Sequence, residues 1–282
     1  MSRATEVLGR YVDVTIGGRE CQVYVEESGQ GTPVLLLHTA GADSRQYRHM
    51  LADQDLTANY RLIAFDLPYH GKSLPPDGWW QEEYLLSRAT YIETVRAFTA
   101  AMGLDRPIVV GCSMGGSLVL HLALEHPQEF RGVLGFSGAG KVQGRFMDWS
   151  LRPDINANQS VPSWTYNLMA PTSPESARRE VWWIYSQGGP GIYRGDTYFY
   201  SQDSDIEDRV ASIDTSLCPV HLWTGEYDHA CRPADTLRTL ELNQGIVGGV
   251  LPGIGHFPVA ENYPAIRELI HNTFTEITDA QQ

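Results

Sequence analysis

The chain has 282 residues, a formal net charge of −13, 42% hydrophobic and 20% charged side chains. That balance is ordinary for a globular protein, and the length suits one large α/β domain with a sizeable core. The acidic surface repels nucleic acid and anionic membrane, so neither is expected as a partner. No apolar run approaches the roughly 20 residues of a membrane span, and Met1 to Glu6 lacks a signal-like apolar stretch, so a cytoplasmic location is expected.

The first elements alternate in hydropathy. Arg10–Ile16 and Glu20–Glu26, joined through Gly17-Gly18, predict an antiparallel hairpin. Solid apolar runs then replace alternation at Pro33–His38, Tyr60–Asp66, Pro107–Cys112, Gly132–Phe136, Pro219–Thr224 and Gly245–Leu251. Such runs suit strands covered on both faces, as in a parallel sheet. Helical spacing appears between them over Tyr84–Met102, Ser117–Glu125, Pro233–Leu242 and Pro264–Phe274. The order predicts a doubly wound, mostly parallel α/β sheet with helices on both faces.

Residues 141–213 break the rhythm, because no buried strand is legible there. A connection that long is expected to hold helices of its own. It reads as an inserted helical lid on a core formed by residues 1–140 and 214–282. The lid is aromatic-rich, and Trp164, Trp182 and Trp183 are candidates for contact with an apolar or aromatic substrate. The same rings would serve equally to build a core for the lid itself. It also carries Arg145, Arg152, Arg178, Arg179, Arg194 and Arg209. One of these could grip a substrate carboxylate, although arginines are commonly exposed. Gly188-Gly-Pro-Gly191 reads as a hinge or as a plain turn.

The sharpest chemical signal is Gly111-Cys112-Ser113-Met114-Gly115, followed by Gly116, directly after one buried run and before a helix. A nucleophile on a tight strand-to-helix turn needs a strained backbone, and the glycines leave room for it. Ser113 would stand at a helix N-terminus, where free N–H groups favour developing negative charge. The Met114 N–H is a candidate oxyanion donor. Cys112 precedes the turn residue and is expected to be a buried thiol, not the nucleophile. The four cysteines form no C-x-x-C or zinc spacing, and no histidine and carboxylate cluster has ligand spacing, so no metal and no cofactor are implied.

On these residues the chain resembles the α/β-hydrolase fold family over nearly its whole length, with nucleophile, acid and histidine in the order Ser, Asp, His. The resemblance implies that Asp228, in Leu222-Trp-Thr-Gly-Glu-Tyr-Asp228, orients the imidazole, with Glu226 and Asp235 as alternatives. It implies that His256, in Gly253-Ile-Gly-His256-Phe-Pro, is the general base and acid. His70, in Asp66-Leu-Pro-Tyr-His70-Gly-Lys-Ser73, falls in a turn that is usually structural in that family. The loop His38-Thr39-Ala40-Gly41 has Thr39 where relatives usually have glycine. Alignment makes the Ala40 N–H the second oxyanion donor and leaves Thr39 to reposition the loop or contact substrate.

Serine at the elbow argues against epoxide and haloalkane hydrolysis, which need a carboxylate there, and suits acyl transfer. The expected reaction is hydrolysis of a small carboxylic ester, lactone or thioester. C–C cleavage of a 2-hydroxy-6-oxo-dienoate is the enzymatic alternative, although that branch usually continues its histidine loop Gly-His-Trp where this chain has Gly-His-Phe-Pro. A ligand receptor on the same fold is the alternative of another class. The partner is then a small-molecule substrate, and a homodimer is compatible with the pattern.

Overall fold

The computed structural model describes residues 6–151 and 157–280. Arg152 lies outside them. Strands β1 (Leu8–Ile16) and β2 (Arg19–Ser28) form the expected hairpin, with Gly17 and Gly18 both at positive φ in the turn. Six further strands follow: β3 (Thr32–Leu37), β4 (Tyr60–Phe65), β5 (Ile108–Cys112), β6 (Gly132–Phe136), β7 (Val220–Gly225) and β8 (Val247–Leu251). They make one eight-stranded sheet in the order β1-β2-β4-β3-β5-β6-β7-β8. Every pairing from β4 to β8 is parallel, and only β2 runs against the rest.

Apolar runs without alternation have a direct structural reason here. Leu35, Leu37, Val109 and Val133 belong to one buried cluster, while Val34, Leu36, Val110 and Leu134 belong to a second. Successive side chains point to opposite faces of a strand, so both faces of each central strand are dry. Helices supply the cover: α1 (Arg48–Leu51), α2 (Gln54–Thr57), α3 (Arg88–Ala101), α4 (Met114–Glu125), α5 (Ala157–Tyr166), α6 (Glu175–Tyr185), α7 (Ile192–Tyr198), α8 (Pro233–Leu242), α9 (Pro258–Glu261) and α10 (Tyr263–Asp279). Helix α10 contributes Ile266, Ile270 and Phe274 to the second cluster; α3 and α4 contribute Val95, Phe98 and Leu118 to the first.

Three helix boundaries differ from the sequence reading. Helix α3 starts at Arg88 and not at Tyr84, because the Ser87 hydroxyl accepts from Thr90 N and caps it there. The preceding residues are tied elsewhere, with Leu86 N donating to Gly195 O. Helix α4 begins at Met114, three residues before the expected start, since the elbow itself is its first turn. Helix α10 runs on to Asp279, where Ile277 is still buried.

Between β6 and β7 the described residues hold α5, α6, α7, a π-helical turn over Phe199–Asp203 and a 3-10 turn over Glu207–Ser212, with no strand. This segment packs α5 on α6 and joins the core cluster through Val181, Ile184, Tyr185 and Phe199. The chain reverses direction across the sheet at β3, with β4 on one side and β5 on the other. Ligands of open α/β sheets bind beyond the carboxyl ends of strands at such a point. Leu37 lies in register with Gly111, and Cys112 with Phe136, so the loops after β3 and β5 emerge side by side.

Candidate active site

Ser113 stands between the last residue of β5 and the first of α4, with φ 59° and ψ −116°. A non-glycine residue is held there only when its surroundings over-determine it. The surroundings do so. Ser113 N donates to Phe136 O at 2.9 Å and Ser113 O accepts from Ser117 N at 2.9 Å. A Cβ at Gly111 would stand 2.2 Å from Gly115 O, and one at Gly116 would stand 2.1 Å from Phe136 O. Glycine at both positions lets helix and sheet approach closely enough to make the turn.

The three chemical side chains meet although they lie far apart in sequence. Ser113 Oγ is 2.9 Å from His256 Nε2, and His256 Nδ1 is 2.8 Å from Asp228 Oδ2. All three residues are buried. The Asp228 carboxylate accepts from Ala230 N at 2.8 Å, Cys231 N at 3.0 Å and the Thr224 hydroxyl at 3.3 Å. With those donors on Asp228, His256 carries its proton on Nδ1 and presents a lone pair on Nε2 to the serine. Such a row can take the proton of a hydroxyl as it attacks.

Two backbone donors flank the serine. Ala40 and Met114 are buried, and neither N–H meets an acceptor among the described residues. Unpaired buried N–H groups are rare, and they belong here to the residues that sequence alignment and the elbow single out as oxyanion donors. Thr39 is buried with its hydroxyl 2.5 Å from Tyr185 Oη and 3.0 Å from Gln46 Oε1, so it braces the loop.

A cavity of about 10 Å³ lies over Ser113, lined among others by Ala40, Arg145, Tyr193, Tyr200 and His256. That is room for about one water. Larger hollows of about 310 and 480 Å³ lie elsewhere, lined by neither Ser113 nor His256.

The model of the alpha/beta hydrolase fold family matches residues 32–181 of the chain. The chain belongs to the α/β-hydrolase fold family. Among its relatives is a 2-hydroxy-6-oxononadienedioate/2-hydroxy-6-oxononatrienedioate hydrolase of a Pseudomonas species, 27% identical over 51% of this chain and 50% of that protein. Another is a 2-hydroxy-6-oxo-6-(2'-aminophenyl)hexa-2,4-dienoic acid hydrolase of Metapseudomonas resinovorans, 26% identical over 88% of this chain and 85% of that one. The chain thus spans about half the length of the first and most of the second. Among solved structures, an enol-lactonase from Burkholderia xenovorans superposes with a TM-score of 0.79 at 15% identity, over 93% of this chain and 99% of that one.

Within this α/β-hydrolase the tryptophans proposed from sequence do not line the cavity. Trp164, Trp182 and Trp183 are 38, 37 and 59% exposed. The amphipathic helix α6 buries Val181, Ile184 and Tyr185 instead. The aromatic lining comes from Tyr185, Tyr193, Tyr200 and Phe257. Of the insert's arginines, Arg178, Arg179, Arg194 and Arg209 reach glutamates. Arg145 is different: it is 8% exposed, lines the cavity and donates to Tyr193 Oη at 3.3 Å. Nothing in its sequence context distinguishes it from the others.

The alternative acids are engaged elsewhere. Glu226 accepts from Gly253 N, and Asp235 accepts from Arg232 N to cap α8. Cys112 is a buried thiol that reaches His256 O, and burial pushes its pKa well above the ordinary thiol range. It has no thiolate to offer as a nucleophile. Among the described residues no three histidine, cysteine or carboxylate side chains converge on a metal position, and no helix is long and apolar enough to cross a membrane.

Proposed function

We propose that the protein is a serine hydrolase of small carboxylic esters, with lactones and thioesters in the same class. The observation that carries the reading is the unbroken row from Ser113 Oγ through His256 to Asp228, with contacts of 2.9 and 2.8 Å. In this reading Ser113 Oγ attacks the acyl carbon while His256 Nε2 takes its proton. The carbonyl electrons move onto oxygen, which the Ala40 and Met114 N–H groups hold. Collapse expels the alcohol, protonated by His256, and leaves an acyl-Ser113 ester. Water, deprotonated by His256, then attacks that ester, and the acid leaves as Ser113 regains its proton.

A cavity of about 10 Å³ admits no ester, so the reading requires the segment between β6 and β7 to act as a lid that opens. Gly191, at φ 75° just before α7, supports a hinge in Gly188–Gly191.

Arg145 favours a second reading. A buried guanidinium on a residue that lines the same cavity as the serine, with no carboxylate partner among the described residues, is suited to a substrate that brings its own carboxylate. The relatives named as dienoate hydrolases act on such acids, and C–C cleavage of a dienoate would use the same row of residues.

The test is hydrolysis of a short-to-medium p-nitrophenyl ester series by wild type and Ser113→Ala, with Arg145→Met alongside. Turnover that disappears in Ser113→Ala is expected, and full activity there would sink the serine assignment. Neutral esters unaffected by Arg145→Met, together with a dienoate whose KM rises in it, would move the substrate to the carboxylate class.

A further inference from the structure

We propose that Asp196, carried by α7 of the inserted segment, is a positioning residue for the reaction: paired with His70, it holds the oxyanion loop in place, so that full activity requires the insert to be closed. This rests on the serine-hydrolase reading above.

Asp196 and His70 are both buried, and Asp196 Oδ2 lies 2.7 Å from His70 Nε2. The same oxygen accepts from Gly41 N at 2.7 Å, and Oδ1 accepts from the Tyr84 hydroxyl at 2.7 Å. A buried carboxylate needs a counter-charge, and the ring supplies one. His70 Nδ1 faces Pro68 O at 2.9 Å, a group that can only accept, while Nε2 faces the carboxylate. Both bonds form only when both nitrogens carry protons. Burial alone would push this imidazole down, but the Asp196 charge and hydrogen bond, helped by Pro68 O and Asp66, hold its pKa above the ordinary histidine value. The other titratable neighbours are Tyr84 and His38, whose ring centre lies 4.7 Å away. His38 adds no like charge. Its Nδ1 donates to Thr39 O and its Nε2 accepts from Leu67 N, which fixes it neutral, and burial with the His70 charge lowers its pKa to about 4.

The target of the carboxylate is the loop that carries Ala40. That loop turns on a bond from Ala42 N to Thr39 O at 3.1 Å, and Gly41 stands at φ +69° within it. The insert grips it on both sides of Ala40: Tyr185 Oη from α6 meets the Thr39 hydroxyl, and Asp196 from α7 meets Gly41 N. Between the two grips, no acceptor among the described residues meets the Ala40 N–H. When the insert swings away to admit substrate, both grips release, and the donor is restored to its aim only on closure.

The experiment measures kcat and KM for p-nitrophenyl acetate in the full chain, with the rate of labelling by a fluorophosphonate, for wild type and Asp196→Asn from pH 6 to 10. The amide keeps the shape but cannot balance an imidazolium. The expected result is a kcat lower by about 10- to 100-fold, somewhat less than outright loss of an oxyanion donor, with KM changed less than about threefold on the same scale. Wild-type kcat should also fall at alkaline pH as His70 loses its proton, and that limb should be absent in Asp196→Asn. A merely structural role would lower the melting temperature and leave both readouts alone. A folded Asp196→Asn with wild-type kcat and an unchanged pH profile overturns the proposal. If Asp196→Asn does not fold, His70→Gln, which removes the charge and keeps a donor, carries the same expectations and the same overturning result. Wild type that neither turns over the ester nor labels would overturn the serine reading and this inference together, whereas equal turnover in wild type and variant overturns this inference alone.

Discussion

At the residue scale, the orientation of one imidazole decides whether Ser113 is a nucleophile or an idle hydroxyl. His256 is packed edge-on against Phe257, with ring centres 4.8 Å apart, and its backbone N–H donates to Leu168 O of the insert. Asp228 then selects the tautomer, and its two oxygens face donors on both sides: His256 and Thr224 on one, Ala230 N and Cys231 N on the other. An amide has one acceptor, so Asp228→Asn must turn its NH₂ against donors on one side or the other. Its kcat on a p-nitrophenyl ester should fall by about 10⁴-fold with the fold retained, the size of loss expected when the base is held in the wrong tautomer. His256→Ala should lose nearly all turnover. Comparable rates in a variant and wild type, in circular-dichroism-verified protein, would remove the substituted residue from the mechanism. Serine and histidine were legible in sequence because each sits in a short turn whose neighbours are constrained by backbone geometry. Arg145 was not legible, because burial of one arginine among six depends on packing against Tyr193 and Trp164.

At the element scale, α4 links the elbow to the insert. Its buried face continues from Met114 and Leu118 to His121, whose Nε2 donates to Ser204 O at 3.2 Å just beyond the π-helical turn. Burial, with Arg88 nearby, lowers the His121 pKa to about 4. The sign follows from that depression. Above the unfolded value near 6.5 both states are neutral and the contribution is intact. As pH falls from there toward 4, the unfolded chain takes up a proton that the folded chain refuses, and stability is lost at about 1.4 kcal/mol per pH unit. His38 acts in the same direction, while Asp66 and Glu261, whose carboxyls are raised by burial, act in the opposite one. His121→Asn should therefore flatten the fall of unfolding free energy between pH 6 and 4.5 by about 1.4 kcal/mol per unit. Urea titrations at several pH values would read it, and parallel slopes in variant and wild type would show that His121 is protonated in the fold.

At the scale of the whole molecule, distant parts of the chain are fastened by buried carboxylates. Glu261 accepts from Gly255 N and Phe257 N, on either side of His256, and from Ala170 N and the Ser173 hydroxyl of the insert. Asp53 caps α2 and meets the Tyr263 hydroxyl at 2.6 Å and Arg267 at 2.7 Å on α10. Burial would raise the Asp53 carboxyl, yet Arg267 and Tyr263 hold it well below the usual range. Its contribution is therefore complete at neutral pH and is lost progressively as pH falls below the ordinary carboxyl value, where the unfolded chain takes up a proton that the folded chain refuses. Because Arg267 is 39% exposed, the ion pair itself is discounted for solvent screening. Loss of the cap adds about 1 kcal/mol, and the stranded Tyr263 hydroxyl adds about 1 kcal/mol. Asp53→Ala should cost about 2–3 kcal/mol in denaturant unfolding and leave esterase kcat unchanged, and a cost under about 0.5 kcal/mol would show that α10 is held by its apolar face alone.

The features legible from the order of residues are those governed by short-range rules. Two-sided apolar runs dictate a covered parallel sheet, since every second side chain must find a dry face. Gly111, Gly115 and Gly116 dictate a close strand-to-helix turn, since a Cβ would collide there. The tertiary structure alone decided which polar groups of the insert meet the core. Asp196 and Gly41 are separated by 155 positions, Tyr185 and Thr39 by 146. Hydropathy reports that such residues are buried or exposed, and it is silent on the partner each one meets once the insert folds over the sheet. The exposed Trp164, Trp182 and Trp183 show the same limit from the other side, because a ring's apolar character does not say which face of its helix the core will claim.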